Sequence, residues 1–105
     1  MKLLLAIVDK SDVRSLREKL TAAGLRATIL ASTGGFISHG NTTILMGLNE
    51  DEVPRAMEII KDSCQRRKRL VTFAPPDFPA LTPPIEVESG GAIVFTLPVE
   101  DFAQF

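Results

Sequence analysis

Three runs of residues that are hydrophobic at consecutive positions constrain the fold of this chain more than any other feature. They span residues 3–8, 44–46 and 92–94. A strand with one face in water alternates apolar and polar residues, whereas a continuously apolar strand is normally buried on both faces. A chain of 105 residues has room for a single core. The sequence therefore predicts one domain, residues 1–105, around a sheet that is covered on two sides.

An amphipathic helix is predicted directly after the first apolar run. Its apolar residues recur at three- and four-residue steps, with charged residues between them, at Val13, Leu16, Leu20 and Ala23. Ser11 is the predicted N-cap, and Gly24 is the predicted C-cap because glycine readily adopts a positive φ.

A second helix is predicted from a cap near Asp51 to about Gln65. Pro54 has no amide hydrogen and is best tolerated in a first turn, which sets that start. Cations at residues 66–69 are expected to end the helix in solvent, where they complement its dipole. The predicted inner face consists of Val53, Met57, Ile60 and Cys64, which makes the single cysteine a small core residue.

The order of the predicted elements is that of an α+β, ferredoxin-like βαββαβ fold. The principal strands are predicted at residues 2–8, 25–31, 42–48 and 92–97, with short ones at 70–73 and 85–88. Five of the seven prolines lie in residues 74–84, which predicts an extended, proline-rich loop before the last strand. Two helices can cover only one face of such a sheet. We therefore expect a homo-oligomer with closed symmetry to cover the other face, with ligand clefts between subunits.

Residues 33–43 form a glycine-rich loop between the second and third strands. Gly34, Gly35 and Gly40 allow positive φ and close approach of a ligand to the backbone. Phe36 and Ile37 stand where polar turn residues are usual, and such apolar side chains need cover. One interpretation is a long hairpin tip folded onto its own sheet. The other is a clamp for a flat ligand or for a neighbouring subunit.

Composition excludes several classes of function. The formal charge of −1 argues against a nucleic-acid polymer as partner. One cysteine and one histidine leave no disulfide framework and no metal cluster, and they fit a reducing cytoplasm. No run approaches the roughly 20 apolar residues of a membrane span. No serine–histidine–acid set or paired buried carboxylates can be assembled, so we expect a protein that is not an enzyme and needs no cofactor.

Five motifs together resemble the PII-like cyclic di-AMP receptor family, and the resemblance covers nearly the whole chain. The first three lie around the glycine loop: Arg26-Ala27-Thr28, Thr33-Gly34-Gly35-Phe36 and Gly40-Asn41-Thr42-Thr43. The other two lie towards the end: Gly90-Gly91-Ala92 leading to Val94-Phe95, and Leu97-Pro98-Val99 leading to Gln104-Phe105.

The resemblance implies a homotrimer of PII-like subunits that binds cyclic di-AMP in three clefts between subunits and relays binding to a downstream protein. By matched position, the implied ligand-binding residues are Arg26, Ala27, Thr28, Gly35, Phe36, Ile37, Asn41, Gly47, Phe95 and Gln104. Two features depart from the family pattern. Gly24 stands where the family often has an asparagine, and the proline-rich loop is short.

The residue types suit a cyclic dinucleotide, which presents two flat bases and two phosphates. The guanidinium of Arg26 can pair with a phosphate, and Phe36 or Phe95 can stack on an adenine. Asn41 and Gln104 each carry a donor and an acceptor that match an adenine edge. The segment at residues 97–101 also resembles the last strand of PII signalling proteins, so a PII-type sensor of ATP or ADP is the alternative function.

Overall fold

The computed structural model describes residues 1–32, 40–71 and 83–105. Within them lie six strands and two α-helices, whose bounds are β1 (Lys2–Asp9), α1 (Val13–Ala22), β2 (Thr28–Ser32), β3 (Asn41–Leu48), α2 (Val53–Ser63), β4 (Arg67–Val71), β5 (Ile85–Ser89) and β6 (Ala92–Pro98). A single 3-10 turn precedes each helix, at Lys10–Asp12 and at Glu50–Glu52. Residues 33–39 of the glycine-rich loop and residues 74–82 of the predicted proline-rich loop lie outside the described residues, as do Thr72 and Phe73.

The main sheet has the strand order β2-β3-β1-β6, and each neighbouring pair is antiparallel. This arrangement confirms the predicted α+β, ferredoxin-like fold. Strands β4 and β5 form a separate two-stranded antiparallel sheet, with Arg67 opposite Ser89 and Val71 opposite Ile85. The chain therefore adds a hairpin, here called the β4–β5 hairpin, between α2 and the last strand of the main sheet.

The core lies between one face of the main sheet and the two helices. Side chains at alternate positions of β1 point into it, and Leu4, Ala6 and Val8 are fully buried. From the helices, the buried residues are Leu16, Leu20, Ala56 and Ile60, and Cys64 joins them with 3% exposure. The core position predicted for Cys64 is confirmed. The predicted inner-face residue Met57 is instead 40% exposed, because Ala56 points to the sheet in its place.

The opposite face of the main sheet, here called the open face, carries apolar side chains that neither α1 nor α2 covers. Leu3 and Leu5 of β1 are partly exposed. Leu30, Phe95 and Leu97 on the outer strands are 43%, 45% and 41% exposed. Continuous apolar runs thus have one face in the core and one face uncovered by helices, as the sequence predicts.

Helix α1 ends as predicted. Gly24 has φ +76°, and its amide donates to the Thr21 carbonyl, while the Leu25 amide donates to the Leu20 carbonyl over 2.9 Å. This pair of bonds is the Schellman motif that satisfies the last carbonyls of a helix. The start differs from the prediction, because Asp9 rather than Ser11 caps the 3-10 turn that leads into the helix.

The prediction for residues 66–69 is wrong. Helix α2 ends at Ser63, and the cations from Arg67 onward belong to strand β4. Arg67 does not end a helix in solvent but pairs with the carboxylate of Asp12. The predicted start of the second strand at residue 25 is also wrong, since Leu25 still closes helix α1 and β2 begins at Thr28.

Candidate functional site

The predicted site residues near the second strand lie at one edge of the main sheet. Thr28 is the first residue of β2, and Arg26 and Ala27 immediately precede the strand instead of lying on it. Thr28 is opposite Leu45, where the pairing of β2 with β3 ends, and Gly47 lies two residues beyond Leu45 on β3. Gly47 is exposed and has no heavy atom within 4 Å of its Cβ position.

A groove of about 520 Å³ opens at this edge. Its lining residues are Arg17, Thr21, Gly24, Leu25, Arg26, Ala27 and Thr28. Among the described residues, no carboxylate forms an ion pair with Arg26. The volume of the groove lies within the range of small-molecule pockets, and the guanidinium groups of Arg17 and Arg26 line it. The groove can therefore accept an anionic ligand.

Asn41 lies at the other end of β3 from Gly47. It is only 5% exposed and is opposite Asp9 of β1 and Ser32 of β2. Six residues of strand separate Asn41 from Gly47, which is about 20 Å. One copy of the chain therefore does not bring these two predicted residues together. The predicted loop residues Gly35, Phe36 and Ile37 lie outside the described residues.

Phe95 lies at the edge of the sheet opposite to Thr28. The two residues end one row across the open face, because Phe95 is opposite Leu5, Leu5 is opposite Leu45, and Leu45 is opposite Thr28. Three spacings between strands separate them, which is roughly 14 Å. Gln104 is exposed in the segment after β6, where Val99 donates its amide to the Met1 carbonyl.

A buried polar cluster at the far end of β1 escaped sequence reasoning. Asp9 is 4% exposed and Asp12 is 6% exposed. The guanidinium of Arg67 donates to Asp12 over 2.9 Å and 3.4 Å and to Ser11 Oγ over 3.0 Å. Asp9 accepts from the Ser11 amide over 2.9 Å and from the Gly90 amide over 3.1 Å. The only local signal in the sequence is Asp-x-Ser, which is typical of an Asx turn.

The electrostatics of this cluster follow from its hydrogen bonds. Burial alone would raise the pKa of Asp9, but donors from Ser11 and Gly90 and the charge of Arg67 together hold that pKa below its ordinary value. The hydrogen bond to Asp12 raises the pKa of Arg67. Burial raises the pKa of Cys64 to about 11. Asp9 and Arg67 are therefore held in their charged forms, and the thiol is held neutral.

The described part of the chain contains neither a candidate metal site nor a candidate membrane span. No three histidine, cysteine or acidic side chains there are grouped closely enough to hold a metal ion. No helix there is long and apolar enough to cross a membrane.

This chain matches a known protein family and is similar to solved structures. The family model for the cyclic-di-AMP receptor matches residues 1–105. Among solved structures, the chain is similar to a protein from Pediococcus pentosaceus ATCC 25745 that is described as functionally unknown. The two are 39% identical, with 99% of this chain and 96% of that chain covered, and the TM-score is 0.78.

Proposed function

Because this chain belongs to the cyclic-di-AMP receptor family, we propose that it is a cytoplasmic signalling receptor that binds cyclic di-AMP in clefts between the subunits of a homotrimer. The family is one of receptors, and binding of the dinucleotide requires no metal, cofactor or catalytic step. A ligand that differs in affinity between two conformations of a protein shifts its population towards one of them. The proposed output is a change in which downstream protein can dock.

The separation of Thr28 from Phe95 is the main observation that supports a ligand site between subunits. The two residues lie at opposite edges of one sheet, roughly 14 Å apart, and both stand on the open face. A pocket in which Thr28 and Phe95 lie close together needs the β2 edge of one copy beside the β6 edge of another. Each site is then incomplete in a single copy.

The open face supports the homotrimer. Leu30, Phe95 and Leu97 are each more than two fifths exposed there, and Leu5 and Leu45 between them are partly exposed. Apolar surface of this kind is stabilised when it leaves water, by about 25 cal/mol per Å². Sister copies related by closed symmetry would cover it without leaving an unsatisfied face.

Each proposed contact has a stated chemistry. Arg26, which borders the groove at the β2 edge, pairs with a phosphate. Phe95 stacks on an adenine, a contact that contributes on the order of 1–3 kcal/mol per base. Asn41 and Gln104 bond the edges of the bases. Gly35, Phe36 and Ile37 close over the ligand, and this ordering of the loop relays binding to the surface that the partner contacts.

Calorimetry with cyclic di-AMP, cyclic di-GMP and ATP tests the ligand. We expect strong heat with cyclic di-AMP alone. A preference for ATP would support the alternative, a PII-type sensor of ATP or ADP. Sedimentation of the ligand-free protein tests the assembly, and a monomer would contradict the homotrimer.

A mixing experiment tests whether two copies share one site. Arg26→Ala and Phe95→Ala homotrimers are each expected to bind cyclic di-AMP about ten- to a hundredfold more weakly, since each loses a charge-assisted hydrogen bond or a stacking contact. After the two variants are unfolded and refolded together at equal concentration, about a quarter of the interfaces combine an intact Arg26 with an intact Phe95. Those interfaces should bind with wild-type affinity. No recovery of tight sites would show that both residues act within one copy.

A further inference from the structure

The buried cluster at the end of β1 connects two segments that are far apart in the sequence. On one side, Asp9 accepts from the Gly90 amide through Oδ2 over 3.1 Å, and Gly90 directly follows strand β5 of the β4–β5 hairpin. On the other side, Asp9 is opposite Asn41 in the main sheet. The next residue, Lys10, donates its amide to the Gly40 carbonyl over 3.3 Å. Asp9 thus contacts the base of the hairpin through its carboxylate, while strand pairing connects its backbone to the end of the glycine loop.

Arg67 reinforces the same junction from the other strand of the hairpin. It is the first residue of β4, and its guanidinium bonds both carboxylate oxygens of Asp12 and the hydroxyl of Ser11. The Ser11 hydroxyl in turn donates to Asp9 Oδ1 over 2.8 Å. Forked contacts of this kind between arginine and carboxylate fix orientation as well as distance.

The outer part of the hairpin has little apolar cover. Leu70 is 71% exposed and Ile85 is 47% exposed, and the ion pair between Lys68 and Glu86 joins two exposed side chains over 3.4 Å. Among the described residues, the contacts that set the orientation of the hairpin relative to the main sheet therefore lie mainly at its base. There, Asp9 and Arg67 make their contacts, and the Gly91 amide donates to the Cys64 carbonyl.

We propose that Asp9 is a positioning residue that couples the glycine-loop end of β3 to the β4–β5 hairpin, with Arg67 holding the hairpin onto it. A shift of the strand ends at Asn41 and Asp9 moves the carboxylate, and the carboxylate carries Gly90 and the base of the hairpin with it. The inference deepens the proposed function, because it names the covalent and hydrogen-bonded path by which ligand at Asn41 alters a second surface. It also makes a claim about the ligand-free protein that stands without that function.

Amide hydrogen exchange measured residue by residue tests the coupling in the ligand-free protein. The probes are the Gly90 amide at the hairpin and the Lys10 amide, which bonds Gly40 at the glycine-loop end. Arg67→Met removes three hydrogen bonds to Asp12 and Ser11. It should speed exchange of both amides by about tenfold or more, because the loss of one charged hydrogen bond alone has about a tenfold effect. Lys68→Met is the matched control on the same strand and should leave both amides unchanged. Faster exchange at Gly90 alone, or equal effects of the two variants, would overturn the coupling.

A second experiment uses saturating cyclic di-AMP, so that a change in ligand affinity does not affect the measured exchange rates. In the wild-type protein the ligand should slow exchange of the Gly90 amide by about tenfold, and Lys68→Met should keep this response. Asp9→Asn replaces one accepting oxygen with an amide group, and it should lose the response at Gly90 while ligand remains bound. A response retained in Asp9→Asn, or missing in a wild-type protein that binds the ligand, overturns the proposal. If the wild-type protein binds no cyclic di-AMP, the proposed function fails and the ligand-free arm alone decides the coupling.

Discussion

Replacing Gly90 with alanine should destabilise the protein more than any other glycine-to-alanine change among the described residues. Gly90 has φ +82°, and an added Cβ would overlap the backbone oxygen of Gln65 and lie 2.7 Å from Nη1 of Arg67. An L-residue in this conformation costs about 1–2 kcal/mol. The backbone must also shift, which weakens the bond from the Gly90 amide to the buried carboxylate of Asp9 and costs about 1–3 kcal/mol more. We expect a loss of roughly 2–5 kcal/mol in the free energy of unfolding.

Gly24→Ala is the matched control for this variant. Gly24 has nearly the same φ, +76°, but has nothing within 4 Å of its Cβ position. Only the conformational cost of about 1–2 kcal/mol applies to it. Urea unfolding of both variants gives the comparison, at one protein concentration because the stability of the proposed homotrimer would depend on concentration. Equal losses for the two variants would refute the argument from the hairpin junction.

Three further predictions concern other parts of the molecule. Burial raises the pKa of Cys64 to about 11, and the thiolate fraction at a fixed pH falls about tenfold for each unit by which the pKa rises. At pH 8, iodoacetamide should therefore label the native thiol at least a hundredfold more slowly than the unfolded one. Rapid labelling of the native protein would contradict the core position of Cys64. Gly24→Asn adds to the groove a polar side chain on a residue that tolerates positive φ. Calorimetry should show that this variant binds cyclic di-AMP more tightly than Gly24→Ala does. Equal affinities of the two variants would contradict a ligand at this groove. Hydrogen bonds from Ser11 and Gly90 lower the pKa of Asp9 in the folded state against the effect of burial. The ionised Asp9 therefore stabilises the fold above its unfolded pKa, and this stabilisation is lost as pH falls through its folded pKa. Between pH of about 5 and 2 the urea midpoint of Asp9→Asn should fall less than that of the wild type, and a parallel fall of the two midpoints would contradict this.

The main sheet and its helices could be predicted because their signals are local. Alternating burial along β1 and three- and four-residue steps along α1 arise from the geometry of each element alone. The end of α1 at Gly24 was equally readable, since few residues other than glycine adopt its φ. The uncovered apolar face was predicted by counting: continuous apolar strands and only two helices cannot satisfy both faces of one sheet.

The β4–β5 hairpin was harder to predict, because its position depends on contacts between distant residues. Arg67 and Asp12 are 55 residues apart, and a run of cations has no period that distinguishes a helix end from a strand. The pattern at residues 66–69 therefore favoured the helix, which extends the preceding periodicity by one turn. In the folded chain, the carboxylate of Asp12 pairs with Arg67, and local sequence patterns do not predict this contact. Arg67 therefore begins a strand instead of continuing the helix.

The candidate site shows a different limit of sequence reasoning. The motifs name Arg26, Thr28 and Phe95 by type and position, but spacing along the chain does not say whether these residues meet in one copy. The register does, since it sets Thr28 and Phe95 at opposite ends of one row across the sheet. In the proposed homotrimer, these residues would contact one ligand because a second copy places its β6 edge beside the β2 edge of the first. If the proposed homotrimer forms, one contact could account for two observations, because the contact that buries Leu30 and Leu97 would also bring the β2 and β6 edges of two copies together.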